Sequence, residues 1–333
     1  MTPRLPVLVA WCAMSLPGCD ATRPPDDPPV VIDAGLADSG VDAPSAPLVD
    51  LLAAIAADAD QLAVDESHLY WLQGGAVYRV GKDLAPGASA ELVIAPGVSA
   101  DTLAVSAGQV YWSSRDQRAI MRAPVDGGAE ELVVSWDSPG EPAQALLVDD
   151  THVYWREALA LARADKAGGA RELVTTASAP IGAVTMAGDS LYFATPGAGY
   201  EVREVAKSGG PSTVAFGIVV LSAGSVLGNA AGIVLQCGKD TVDPYRSLIA
   251  GYPLPAGPGE VLAIIPDTAM AVTGDNKYAY CAADTGIHRV PRSGGAVQML
   301  AGGEQIVDLV ADGEGALFWL DQATPGLYRR VER

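Results

Sequence analysis

Histidine, cysteine and clustered carboxylates are the places where this chain of 333 residues could carry chemistry, and they are few. Histidine is the side chain best suited to proton transfer near neutral pH and to binding transition metals. His68 and His152 each stand three residues before a tryptophan, a place taken elsewhere by Gln109, Ser190, Gly232, Lys277 and Ala316. A position that tolerates such variety reads as a solvent-facing turn. His288 takes the place that Met121 holds in another segment and reads as a packed strand residue. Residues 48–333 contain no zinc-type Cys/His spacing, no Gly-x-Ser-x-Gly elbow and no phosphate-cradling glycine loop. Asp149-Asp150 and Asp240-Thr241-Val242-Asp243 offer oxygens to calcium, but neither has the spacing of a dedicated calcium loop. The reading is therefore no catalytic set, no cofactor and no metal.

The elements that would position these residues repeat. With the second residue of each aromatic pair as marker, the chain gives Trp71, Trp112, Trp155, Phe193, Tyr280 and Trp319, with gaps of 41, 43, 38, 87 and 39. The double gap holds Ile233-Val234-Leu235 at its midpoint, so seven units are expected. Each has an apolar alternating run, a short acidic or glycine turn, and an aromatic run such as Val110-Tyr111-Trp112. A third run such as Ile120-Met121-Arg122 follows, then a turn often carrying Gly-Gly, then a fourth run such as Glu131-Leu132-Val133-Val134. Short β-branched and aromatic runs with glycine turns at even spacing predict an all-β chain, and four strands per period near 40 predict a β-propeller. The fold expected is a seven-bladed propeller of four-stranded blades. Its last unit stops at a third strand, and residues 48–52 resemble the missing fourth, so the N-terminal strand is predicted to close the ring by pairing with the last blade. An arginine recurs at one phase (Arg79, Arg122, Arg163, Arg289, Arg329) and becomes Glu204 and Gly251 elsewhere; recurrence assigns it to blade structure.

In a propeller the connections from second to third strand and from fourth strand to the next blade share one face. That face carries the irregular lengths: the run from Cys237 to Arg246, and the run from Ser135 to Gly140. Trp136, Asp240, Asp243, Tyr245 and Arg246 are the candidate binding residues there, with Trp136 and Tyr245 read either as contact anchors or as caps on their blades. Cys237 and Cys281 fall just past the aromatic run in adjacent units, which makes them a possible disulfide, provided their Cα atoms approach within about 7 Å.

Formal net charge is −19, with −15 of it in residues 48–333 by difference, which disfavours nucleic acid as a partner. Residues 1–19 carry one positive charge and then a largely apolar run too short to span a bilayer, the pattern of a signal peptide. Residues 20–47, rich in Pro, Asp and Ala, read as an extended disordered linker, and residues 48–333 as the folded domain.

Two resemblances add to this. Leu16-Pro17-Gly18-Cys19 resembles the lipobox of bacterial lipoproteins, which implies lipidation at Cys19 and an envelope location with the lipid as the only membrane contact. Tyr111-Trp112-Ser113-Ser114, Ile120-Met121-Arg122-Ala123 and Asp126-Gly127-Gly128 resemble the YWTD repeat and TolB-like bacterial propellers over residues 48–333. The motif's third and fourth letters are mostly lost, and YWTD domains have six blades where seven units are counted here. The resemblance implies a monomeric, non-enzymatic interaction scaffold for a protein or glycan partner. A metal-dependent propeller hydrolase or lactonase acting in the central channel is the alternative, and a plain surface spacer a third reading.

Overall fold

The computed structural model describes residues 49–331 apart from 96–98, 137–142, 197–199, 219–222, 230–231, 240–246, 253–259, 266 and 304. Every element in it is a strand. The first sheet contains β2 (Asp60–Val64), β3 (His68–Gln73), β4 (Ala76–Gly81) and β5 (Glu91–Ile94). The second contains β6 (Ala100–Ser106), β7 (Gln109–Ser114), β8 (Ala119–Pro124) and β9 (Glu131–Ser135). The third contains β10 (Gln144–Val148), β11 (His152–Arg156), β12 (Ala160–Asp165) and β13 (Glu172–Thr176). The fourth contains β14 (Val184–Ala187), β15 (Ser190–Pro196), β16 (Tyr200–Ala206) and β17 (Thr213–Ile218). The fifth contains β18 (Ala223–Asn229), β19 (Gly232–Lys239), β20 (Ser247–Tyr252) and β21 (Glu260–Ile265). The sixth contains β22 (Ala269–Gly274), β23 (Tyr278–Ala283), β24 (Gly286–Pro291) and β25 (Gln298–Gly302).

These six sheets are contiguous in the chain, each a meander of four antiparallel strands. Self-contained four-stranded units thus number six, not seven. The remaining sheet is a composite: β26 (Ile306–Ala311), β27 (Ala316–Asp321) and β28 (Gly326–Val331) take as their fourth strand β1 (Val49–Ala54). Asp50 stands opposite Arg329 and Leu51 opposite Tyr328. The first strands of successive sheets are neighbours all the way round, β26 meeting β2, so the sheets close on themselves.

The aromatic pairs explain why the sheets stand side by side. The first aromatic of one sheet and the second of the next share a buried cluster: Tyr70 with Trp112, Tyr111 with Trp155, Tyr154 with Phe193, Tyr280 with Trp319, and Phe318 with Trp71. Buried aromatic side chains are each worth about 1.5–3 kcal/mol, and a sheet alone could not cover either flank. Where the aromatics are lacking, aliphatics from the fourth and fifth sheets do the same work, with Tyr192, Val226 and Ala250 in one cluster.

Every outermost strand carries a bulge against its third strand. Val77 faces Ile94 but Tyr78 faces Leu92, which leaves Val93 extra; Leu52, Val133, Val174 and Leu262 are the matching residues elsewhere. The extra side chain turns inward, so Leu52, Val133 and Val174 are buried. The residue before it is left facing solvent, as at Leu92, Leu132 and Leu173.

Candidate binding face

The two faces of the ring are built differently, and the difference begins with which polar groups repeat. On the face carrying the first-to-second and third-to-fourth hairpins, an aspartate starts a turn five residues before a tyrosine. Asp65 Oδ1 accepts the backbone N–H groups of Ser67 and His68, while its Oδ2 accepts the Tyr70 hydroxyl at 2.7 Å. Asp149 does the same for Thr151, His152 and Tyr154, and Asp275 for Lys277, Tyr278 and Tyr280. These bonds hold Asp149 well below the usual carboxylate range against the opposing effect of burial, which is the largest single influence on it. His68 and His152 are half-buried beside these turns, with Nδ1 2.8 Å from Ser67 Oγ and 2.7 Å from Thr151 Oγ1.

The recurrent arginines complete this face. Arg122 donates from Nε to Glu131 on its own sheet and from Nη1 to the Lys166 carbonyl of the next, at 2.9 and 2.8 Å. Arg163 repeats the span to Glu172 and the Lys207 carbonyl, and Arg79 to Glu91 and the Val125 carbonyl. At the seam Arg329 bonds Asp50 and the Lys82 carbonyl. The Gly-Gly turns lock the same junctions from the other direction. Gly169 N–H donates to Val133 O and Gly210 N–H to Val174 O, both on the neighbour's bulge. Gly209 has φ +95, and a Cβ there would lie 3.3 Å from Val174 O, so glycine serves both the turn and the close approach. In the fourth sheet the arginine becomes Glu204, which accepts the Tyr192 hydroxyl at 3.0 Å in place of a hairpin aspartate. Arg163→Ala is expected to lower stability by about 1.5–3 kcal/mol, because a charge-assisted bond to a carbonyl between sheets is lost. Urea unfolding checks this, and Arg163→Lys should recover little of it, since a single ammonium cannot span both acceptors.

Among the described residues the opposite face repeats less. Trp71 and Trp155 each donate Nε1–H to the residue two places on, Gln73 and Glu157, at 3.4 and 3.1 Å, but its other polar contacts differ from sheet to sheet: Gln73 Oε1 accepts Ala56 N–H, Asp101 takes Arg115, Glu157 takes Arg171, and Asp321 Oδ1 accepts Ala323 N–H. Trp136 begins the connection out of the second sheet on this face. It is half-buried, its ring stacked against Trp155 at 6.5 Å and 23°, and its N–H bonded to the Arg118 carbonyl. Packing against the blade end is thus part of its role. Asp240, Asp243, Tyr245 and Arg246, and Cys19, lie outside the described residues.

A cluster that sequence reasoning missed sits on this face of the sixth sheet. Asp267 is buried between sheets, and its Oδ2 accepts both the backbone N–H and the hydroxyl of Thr285, at 2.7 and 2.5 Å. His288 Nε2 lies 3.4 Å from the Thr285 hydroxyl and 3.9 Å from Asp267, with burial lowering its pKa and the carboxylate pulling it back. The three residue types suggest a nucleophile and base, but the hydroxyl proton is directed at the carboxylate. The geometry is that of a clamp tying two connections together.

Cys281 is a free thiol, fully buried in the wedge with Ile249 and Ile265, and burial pushes its pKa up. Of the possible disulfide pair, the Cys281 side chain is committed to an apolar cluster, and Cys237 lies on β19 with its side chain outside the described residues. Among the described residues no group of three or more His, Cys, Asp or Glu side chains is placed to hold a metal ion.

No family model and no curated protein matches this chain. Solved structures do. The WD40 beta propeller domain of Doa1 matches with a TM-score of 0.63 at 11% identity, over 86% of this chain and 97% of that one. The chain is a β-propeller. A nidogen/laminin complex structure matches the propeller with a TM-score of 0.53 at 15% identity, over 68% of this chain and 90% of that chain. PorZ, a bacterial surface component of the type-IX secretion system of Porphyromonas gingivalis, matches with a TM-score of 0.58 at 14% identity, over 84% of this chain. The propeller spans only 37% of that PorZ chain. At these identities the likeness is one of fold alone.

Proposed function

We propose that the propeller is a non-enzymatic scaffold of the bacterial cell envelope, tethered through lipidated Cys19, that offers its irregular face to a protein or glycan partner. The observation that carries this reading is the asymmetry of the two faces. Charged side chains on the hairpin face are consumed by junctions repeated from sheet to sheet, whereas among the described residues the ion pairs of the opposite face, Asp101 with Arg115 and Glu157 with Arg171, follow no repeat and so answer to something other than assembly. The nidogen match, a structure solved as a complex with laminin, and the PorZ match, a bacterial surface component, are in keeping with it.

Trp136 is an aromatic on that face that is rigidly seated yet half-exposed, as a contact anchor should be. Recovery of a partner from envelope extract on immobilised propeller is expected to fall roughly thirtyfold for Trp136→Ala, the effect of losing about 2 kcal/mol at an anchor. Leu132→Ser, on the outer rim, should leave recovery unchanged; equal losses for both would point to damaged folding and sink the assignment. Labelled fatty acid that enters the wild-type chain but not Cys19→Ser would establish the tether.

A further inference from the structure

The hairpin face contains one junction whose repeated parts lack a member. In the first, third and sixth sheets the buried tyrosine hydroxyl is taken by the aspartate five residues earlier, and in the fourth by Glu204. In the second sheet the residue five before Tyr111 is Ser106. The Tyr111 hydroxyl is buried with the Arg122 guanidinium beside it as a donor, but among the described residues no acceptor takes its own proton. A buried hydroxyl proton left without an acceptor costs about 1–3 kcal/mol, so this is a place where something is wanted.

The lysine of the same junction tells the same story. Lys82 pairs with Asp312 and Glu314, and Lys207 pairs with Asp149 at 3.1 Å. Lys166 holds the equivalent place, but its ammonium donates to Ser106 Oγ and the Asp149 carbonyl, both at 3.0 Å, and among the described residues it has no carboxylate within salt-bridge reach. Its Nζ lies 5.8 Å from the Tyr111 ring centroid. Tyr111, Arg122 and Lys166 line an open cleft of about 580 Å³ between the second and third sheets.

We propose that this cleft binds a carboxylate, which accepts the Tyr111 hydroxyl proton in a hydrogen bond and pairs with Lys166 as Asp149 pairs with Tyr154 and Lys207 in the next junction. The other junctions that carry the tyrosine supply the chemical class, because each offers its hydroxyl a carboxylate oxygen. Charge narrows it further. Of the two cations in the lining, Arg122 is neutralised by Glu131, and Asp150 and Asp165 add negative charge, so Lys166 alone is left to pair one anionic group and a phosphate dianion is repelled. Glu131 is already held by Arg122, and Asp165 by the Ala167 N–H, which leaves the Tyr111 site to an outside group. The Lys166 side chain swings from Ser106 onto the occupant, a small movement for a flexible four-carbon stem. The source is either a free small carboxylate or an acidic side chain of a peptide.

Thermal unfolding of the full chain in sodium acetate, set against sodium chloride at equal ionic strength and pH 7.5, tests the proposal. Acetate is expected to raise the wild-type Tm by about 2–4 °C beyond its effect on Tyr111→Phe, for a site filled roughly tenfold over empty. Ser106→Asp should start at a higher Tm and lose the increment, because the chain then supplies its own carboxylate. A glutamate-containing tripeptide capped at both ends, against its glutamine counterpart, gives the second arm: an increment larger than that of acetate assigns the site to peptides, an equal or smaller one to free acids. An acetate increment identical in wild type and Tyr111→Phe overturns the proposal. Should Ser106→Asp fail to fold, the Tyr111→Phe comparison alone decides.

Discussion

Deletion of residues 49–54 is expected to abolish cooperative folding of the propeller, and Leu52→Ala alone to cost about 2–5 kcal/mol. Leu52 and Ala53 are fully buried, in one cluster with Trp71, Phe318 and Leu327 from the two sheets that meet at the seam. Without β1 the composite sheet loses its outer strand, Arg329 loses Asp50, and the Gly87 and Ala88 N–H groups lose the Leu51 and Leu52 carbonyls. No other strand is recruited from so far along the chain, so no other six-residue segment closes as much. Circular dichroism melts check both variants. A deletion variant that melts cooperatively within a few degrees of the parent would mean that the first and last sheets hold together without their zip.

The second large effect concerns Asp308, on the first strand of the composite sheet. Its Oδ2 accepts Leu62 N–H from the first sheet at 2.8 Å, and its Oδ1 accepts Leu309 N–H. Burial pushes the carboxyl up from 3.8 to about 6, the two backbone N–H groups pull it down, and the nearby Asp60 charge adds to the rise. Because the folded carboxyl holds its proton more tightly than the unfolded one, its contribution is fully favourable below about pH 4 and is lost as pH rises through 6. Asp308→Asn removes the titration while keeping an acceptor for Leu62. Stability of the variant minus that of the wild type is therefore expected to increase by about 2–2.5 kcal/mol between pH 4 and pH 8. Acid effects at carboxylates such as Asp149 cancel in that difference. A difference flat across the range would show that Asp308 is not desolvated.

How much was legible follows from what each feature leaves in the sequence. The aromatic pairs declared their wedges because a residue that fills a repeated gap must itself repeat, and the lone third strand at the C-terminus foretold the role of residues 49–54. The recurrent arginines were assignable to structure for the same reason, though not their carbonyl acceptors, since main-chain oxygens have no letter. The outer bulges were invisible on that account too. The link from Asp65, Asp149 and Asp275 to a tyrosine five residues on is present in the sequence as a repeated spacing, but an acidic turn by itself says nothing of the hydroxyl it accepts. The Asp267 clamp occurs once and gives no phase to read, and Asp308 shares its phase and its bond with Gln61, whose Oε1 accepts Leu103 N–H, but two different residue types leave no visible repeat. For the candidate site, only Trp136 was both named in advance and placed by the structure, packed against Trp155.

The bulged outer strands bear on life in a crowded compartment. A sheet whose rim is straight offers a stranger's strand an unbroken row of donors and acceptors, and rings stacked rim to rim in that way would grow into fibres. Here the row is broken at Leu52, Val93, Val133, Val174, Ala215, Leu262 and Leu300, and at three of these the carbonyl is already bonded to the adjoining sheet's turn. The same extra residue that ties neighbours together inside one molecule thereby discourages polymerisation between molecules.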